Sequence, residues 1–464
     1  MIRMTRRTAL GSLASLASLA LVRTAAAASL PAQNEIRGLL ANRIDTERQS
    51  LGMVIGTSQD AERTQIVACG ARSARDARAP DGDGLFNIGS IAKLFTAILL
   101  ADAVARGEVR YEDPLKRHLP PDTLLPAFGD TPITLLDLAT HTAGLPGFPD
   151  DFPPESDLVA QARYTREQLF AFLARYRLAE PPGTTWLYSN FNYILIAAAL
   201  EFRTQKRFPF LLRARVIEPL KLTSTYIGPL ASPGDRLVPG HDLQMRELPP
   251  EPVPLLLGAG GMHSSARDLL KLVGALAGQR KTSLRAAMDG MLRTHRPVRA
   301  YAAEQALGPQ IFGDPGHPMI GHAGSTTGQA SAVLWRPHGP GVVVLSNAAP
   351  PVMDIAFHVL DPTVPLAAPM RSTRLDPTLI GRYVGKFNLE VGGGKICLVA
   401  AQGEGLTVEF VGDAPKMDLT PESEDIFTIP RMGARFTFEG QKGSPAQTLR
   451  IEIAGTRYTG TRVP

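Results

Sequence analysis

Ser90 and Lys93 stand three residues apart in the run IGSIAKLFTAILLADAV, residues 88–104, and no other serine in the chain is followed by a lysine at that spacing. A serine hydroxyl is a weak nucleophile until a neighbouring base takes its proton. Lysine can be that base only if burial lowers its pKa from ~10.4 by several units. The turn FNIGS places Ser90 at the start of a helix, and the i, i+3 spacing puts Lys93 on the same face. A helix N-terminus favours developing negative charge by ~0.3–1 kcal/mol. A lysine at a helix rim can instead pack its stem and keep its ammonium in water. The pair alone does not choose between the two.

Two further stretches bear on the choice. In PPGTTWLYSNFNYILIAAALE, Tyr188 and Asn190 lie two apart in a turn before a helix, so both side chains can face one cleft. The competing arrangement is a tyrosine packed at a helix start with Asn190 as its N-cap. In GHAGSTTGQASAVLW, glycines flank His322 and let backbone approach a ligand closely. The alternative is a glycine-rich turn that happens to hold a histidine. Other familiar sites are excluded. There is no G-x-S-x-G elbow, GGGKI lacks the parts of a phosphate loop, and GAGGMH is not a dinucleotide fingerprint. The nine histidines are scattered and make no four-ligand pattern with the two cysteines. Neither a metal nor a cofactor is expected.

These segments must be held by a definite frame. Residues 35–48 read as a helix, and LGMVIGTS and TQIVACG as paired strands. Residues 161–176 and 193–202 have helical period, as does SARDLLKLVGALAG, with Ser264 or Ser265 as N-cap. GQASAVLWRPHGPGVVVLSNA reads as a hairpin, and VMDIAFHVL as a closing helix. Strands at both ends of a mostly helical middle imply an α+β unit: one antiparallel sheet flanked by helices, with a helical subdomain. The proline-rich residues 361–376 read as a linker, and the short alternating runs over 377–464 as a small all-β domain.

The chain has 464 residues, 44% hydrophobic and 20% charged, which suits globular domains. Residues 1–28 have a basic start, an apolar stretch too short to span a membrane, and a small-residue end. They read as an export signal, with Arg6 and Arg7 pointing to the twin-arginine route, or as a retained anchor. Export would leave the mature chain, residues 29–360 and onward, in the periplasm or outside the cell with no stable membrane span. The formal charge of +5 falls to +1 once the four arginines of that segment are set aside, so no nucleic-acid partner is indicated. Cys69 and Cys397 lie in apolar strand-like runs and are expected to be buried free thiols.

Taken in order, SIAK, YSN and HAG resemble the motifs of the serine β-lactamase and penicillin-binding-protein superfamily. The class C β-lactamase branch, with its D-alanyl-D-alanine peptidase and esterase relatives, is the nearest part of it. ITLLDLATHTAGLP, PPGTTWLYSN, GAGGMHSSARDLLKL and VVVLSNA add to the likeness over residues 36–360. The resemblance implies a β-lactamase/transpeptidase-like fold and a lipocalin-like C-terminal barrel. It makes Ser90 the nucleophile, Lys93 its proton acceptor or the electrostatic tuner of one, and Tyr188, as phenolate or through its hydroxyl, the shuttle to the leaving group. Asn190 would orient the substrate amide or Lys93. His322 would replace the lysine often found there, and Asn190, His322 and Gly324 would contact substrate. The backbone N–H groups of Ser90 and Ser325 would form the oxyanion hole. His322 is only partly charged near neutral pH, and Ala323 lacks the hydroxyl that a threonine would offer to a β-lactam carboxylate. A small-molecule or peptide substrate is therefore expected, a D-amino-acid peptide or ester in preference to a β-lactam. His141 and His263 are assigned structural roles. A non-catalytic binding or scaffold protein of the same fold is the rival from another class.

Overall fold

The computed structural model describes residues 30–464 apart from 154–156, 229–233, 253, 256, 299–302, 391–394, 412–415, 431–432 and 454–455. The export signal expected over residues 1–28 lies outside the described residues. Among the described residues no helix is long and apolar enough to cross a membrane.

One sheet organises the larger part of the chain. Its strands are β1 (Gly52–Ser58), β2 (Thr64–Gly70), β3 (His295–Val298), β4 (Ala303–Ala306), β5 (Gln310–Phe312), β6 (Met319–Ser325), β7 (Ala330–Trp335) and β8 (Gly341–Ser346). Their order is β2-β1-β8-β7-β6-β5-β4-β3, with every neighbour antiparallel. Met53 pairs with Ser346, so the first strand closes onto the last hairpin. β1, β7 and β8 are buried along their whole length because helices cover both faces. Alternate side chains therefore enter two different cores. Val333, Trp335, Val343 and Leu345 face one, while Leu334, Val342 and Val344 face the other. This explains runs such as GVVVLS, which show no polar alternation. β2 lies at the edge and is half-exposed, and Cys69 with it is only partly buried, whereas Cys397 is buried. Both thiols are free, but burial was expected for both and holds only for the second.

Among the helices are α1 (Gln33–Ala41), α2 (Ala92–Ala105), α3 (Asn190–Thr204), α4 (Ala266–Leu276) and α5 (Met353–Leu360). α2 is buried on every side from Ala92 to Ala103, the condition of a helix inside a core rather than on a surface. Leu94, Phe95, Ile98, Leu99 and Leu100 are fully buried there, together worth on the order of 10 kcal/mol. That outweighs the several kcal/mol that desolvating Lys93 costs. α4 is capped by Ser265, whose hydroxyl accepts from the Asp268 N–H.

The helix expected over 161–176 is broken in two, Leu158–Ala162 and Arg166–Arg175. Thr165 and Gln168 form a capping box that starts the second piece afresh, and a local cap overrides the continuous apolar period. The helix expected over 193–202 starts three residues earlier, because Ser189 caps it by accepting from the Asn192 N–H.

Eight antiparallel strands from Gly385–Leu389 to Thr456–Val463 form a closed barrel. Its interior is filled by apolar side chains. Tyr383, Phe387, Phe427 and Phe438 pack ring against ring at 4.8–5.9 Å, so the barrel centre is solid. Residues 361–376 carry no helix or strand. They are pinned by Gln49, which exchanges two hydrogen bonds with the Met370 backbone at 2.7 and 2.8 Å, and by the Thr373 N–H donating to Pro421 at 2.8 Å.

Candidate active site

Ser90 sits in a short 3-10 turn, Gly89–Ile91, that leads directly into α2. One turn of helix later, Lys93 is fully buried. Its Nζ lies 2.8 Å from Ser90 Oγ, 2.7 Å from Asn190 Oδ1 and 3.0 Å from the Ala259 carbonyl. Both protonation states are satisfied by this geometry. An ammonium donates to all three acceptors. A neutral amine donates to Asn190 and Ala259 and accepts from the Ser90 hydroxyl, so moving the proton reverses one bond and breaks none. No carboxylate stands among these partners, and burial alone holds the Lys93 amine well below the usual lysine range. The solvated-rim arrangement is therefore ruled out. The same observation removes Asn190 from the N-cap role, which belongs to Ser189.

Two glycines let the serine turn close on the sheet. β5 pairs only with Met319–Gly321, so on that side β6 meets the Ser90 turn beyond Gly321. Gly89 has φ +49, and a Cβ there would lie 2.6 Å from the Ser325 nitrogen. A Cβ on Gly324 would lie 2.0 Å from the Ile88 carbonyl oxygen and 2.3 Å from Ser331 Oγ. The glycine of HAG is thus required by the protein's own contact, a reason different from the ligand approach expected of it. The result brings the Ser90 and Ser325 segments together.

Tyr188 lies on the other side of the lysine, with Lys93 Nζ 5.0 Å from its ring centroid. His322 is buried, its ring 6.2 Å from that of Tyr188. His322 Nδ1 is 2.5 Å from the Ala323 carbonyl, which can only accept, so Nδ1 carries the proton. Burial, and next the charge of Lys93, lower its pKa to about 4. The partial charge expected of His322 near neutral pH is thus corrected: it is a neutral ring whose Nε2 offers a lone pair. All the residues singled out from sequence, Ser90, Lys93, Tyr188, Asn190, His322, Gly324 and Ser325, fall in one place.

Other parts of the site had no sequence signal. Ala259 contributes only a carbonyl, and any residue has one. Its loop is fixed because Thr96 Oγ1 donates to the Gly258 carbonyl at 2.7 Å, and because Gly258, at φ +119, lies against the Tyr193 backbone. His141, given a structural role, packs on Tyr188 with ring centroids 4.5 Å apart. Its position after a threonine-capped helix in ATHTAGLP was the available hint. His263 lies in the short strand Met262–Ser264, paired with Asn87 just before the Ser90 turn, and burial lowers its pKa to about 4.

A sheet covered on both faces, with a buried lysine against a serine hydroxyl, is the framework of a serine hydrolase. The family model described as Beta-lactamase matches residues 32–359, and the chain belongs to that family, on its class C-like branch. It is 30% identical over 192 residues to the D-alanyl-D-alanine-carboxypeptidase/endopeptidase AmpH of Escherichia coli (strain K12). That match covers 41% of this chain and 49% of the relative, so about half the length of the curated relative is spanned. The class C beta lactamase from Rhodobacter sphaeroides superposes with a TM-score of 0.61 at 25% identity, covering 71% of this chain and 99% of that one. The octameric penicillin-binding protein homologue from Pyrococcus abyssi gives a TM-score of 0.62 at 20% identity, over 92% of this chain and 99% of that one, a likeness of fold.

Proposed function

We propose that this chain is an exported serine hydrolase that transfers the acyl group of a D-amino-acid peptide or ester to Ser90 and then to water. The observation that carries the reading is the fully buried Lys93 amine, 2.8 Å from Ser90 Oγ, with no carboxylate among its described hydrogen-bond partners. Neutral Lys93 takes the hydroxyl proton as Ser90 Oγ attacks the carbonyl carbon. Negative charge gathers on the carbonyl oxygen, which the backbone N–H groups of Ser90 and Ser325 receive; one such donor is worth ~2.7–4 kcal/mol in the transition state. Tyr188 passes a proton to the leaving nitrogen or oxygen as its bond to carbon breaks. Water then attacks the acyl-serine by the reverse route, and Ser90 regains its proton. Asn190 holds Lys93 through its Oδ1 and can turn its amide to the substrate.

The substrate preference rests on the HAG segment. A neutral His322 supplies no fixed cation, and Ala323 supplies no hydroxyl, so a β-lactam carboxylate lacks its usual partners here. The similarity to a carboxypeptidase/endopeptidase supports peptide chemistry. Weak β-lactamase activity is the second reading, favoured by the likeness to a class C enzyme. The same proposal divides the mature chain into a hydrolase domain over 29–360, a linker over 361–376 and an accessory barrel over 377–464 with a packing or substrate-restricting role. It places the enzyme in the periplasm or outside the cell, acting on a small molecule or peptide and not on nucleic acid. The test is turnover of a D-Ala-D-Ala peptide, a short acyl ester, a penicillin and a cephalosporin by the wild type and by Ser90→Ala. The ester or peptide should turn over fastest, and Ser90→Ala should abolish it. Undiminished turnover by that variant would end the reading.

A further inference from the structure

We infer that His141 is a positioning residue for Tyr188, one that fixes the tyrosine ring beside Lys93 through a clamp on the backbone at both sides of it. This rests on the reading of Tyr188 as the proton shuttle.

Four observations converge on this histidine. It is fully buried, although it belongs to a connecting segment. Its backbone has φ +57, the left-handed region that a residue with a Cβ rarely enters. Its carbonyl accepts the Leu187 N–H at 2.7 Å, and its Nδ1 accepts the Ser189 N–H at 3.1 Å. The two amides that flank Tyr188 are therefore both held by one residue. Finally, the imidazole lies on the Tyr188 ring at 4.5 Å with the planes 33° apart, and against Tyr193 at 5.2 Å.

Each contact needs the left-handed turn. That conformation aims the carbonyl and the ring of the same residue at consecutive points of one neighbouring strand of chain. The Nδ1 acceptor role also fixes the tautomer, because a backbone N–H can only donate; the ring proton sits on Nε2. Burial keeps the ring neutral, so the Ser189 bond persists. Tyr188 is thereby fixed in height by the two amide bonds and in tilt by the stacked ring. The neighbouring Ser189 is tied down again where its Oγ donates to the Pro146 carbonyl at 2.6 Å. A displacement of about 1 Å in a proton-relay group costs up to about a hundredfold in rate.

The φ value dictates the variants that test this. Asn and Gly both enter the left-handed region at little cost, and Asn Oδ1 offers an acceptor near the place of Nδ1. His141→Asn and His141→Gly should fold, which thermal melting checks, and should slow the acylation rate constant by about tenfold or more with KM changed by less than about threefold. Asn should restore part of what Gly loses. The decisive readout is the same pair of substitutions in a Tyr188→Phe background. If His141 acts through Tyr188, they should add less than about threefold to the loss caused by Tyr188→Phe alone. Full multiplication of the two losses, or an effect on KM alone, would overturn the positioning role while leaving the shuttle intact. If Tyr188→Phe by itself keeps the full rate, the shuttle reading fails, and the inference about His141 falls with it.

Discussion

Acidification should cost the fold stability, and a definite share of that cost belongs to His322. His322 has a pKa of about 4 when folded, against ~6.5 for an unperturbed histidine. Between these values the unfolded chain binds a proton that the folded chain does not, so stability falls as pH falls. The contribution is complete above about pH 6.5 and gone near about pH 4. With ~1.4 kcal/mol for each unit of separation, the whole effect is about 3 kcal/mol, of which about 2 kcal/mol is lost between about pH 7 and about pH 4.5. The assay is urea unfolding of the wild type and of His322→Gln at both pH values. Subtracting the variant's change from that of the wild type removes the titrations the two proteins share. The difference should be about 2 kcal/mol, with the wild type more acid-sensitive. A difference below about 0.5 kcal/mol, or one of opposite sign, would refute the neutral buried ring. The functional corollary is a charge state: about 0.1% of His322 is cationic at about pH 7, where an unperturbed ring would be about one quarter charged.

Three more outcomes follow from the same geometry. Asn190→Asp would place a carboxylate 2.7 Å from Lys93 Nζ, stabilise the ammonium, and move the rising limb of the acylation–pH profile upward by at least about one unit; a limb that stays put counts against Lys93 as the base. Gly324→Ala should push apart the Ser90 turn and β6, because its Cβ would meet the Ile88 oxygen at 2.0 Å, lowering thermal stability by ~1–3 kcal/mol and acylation with it. A thiol reagent should modify Cys69 in the native protein, slowly because burial raises its pKa, and Cys397 only after unfolding; mass measurement of the labelled peptides distinguishes them.

Much of this was legible in the sequence. Continuous apolar runs identified β7, β8 and α2, and the three ordered motifs identified the residues that meet at the site. The misreadings have local causes. A capping box at Thr165 split a segment whose apolar period ran on unbroken. Ser189 took the cap for which Asn190 was equally suited, which freed Asn190 to face Lys93. Cys69 lies in an apolar run, yet its strand is at the edge of the sheet, and strand order is a long-range property. The Ala259 carbonyl and the left-handed backbone of His141 carry no side-chain signature at all. What sequence pattern gave was the cast of chemical groups; the charge states of Lys93 and His322 depend on burial that only the packed fold creates.

The most direct test of the account is the place of the acyl group. Brief reaction with an activated ester or a slowly released penicillin, quenching in acid, and tandem mass measurement of the digested protein should put a single acyl mass on the peptide containing Ser90. Lys93→Met, tested alongside, should leave that peptide unmodified over the same time. An acyl group on any other residue, or labelling of Ser90 at the wild-type rate without Lys93, would contradict the serine–lysine mechanism.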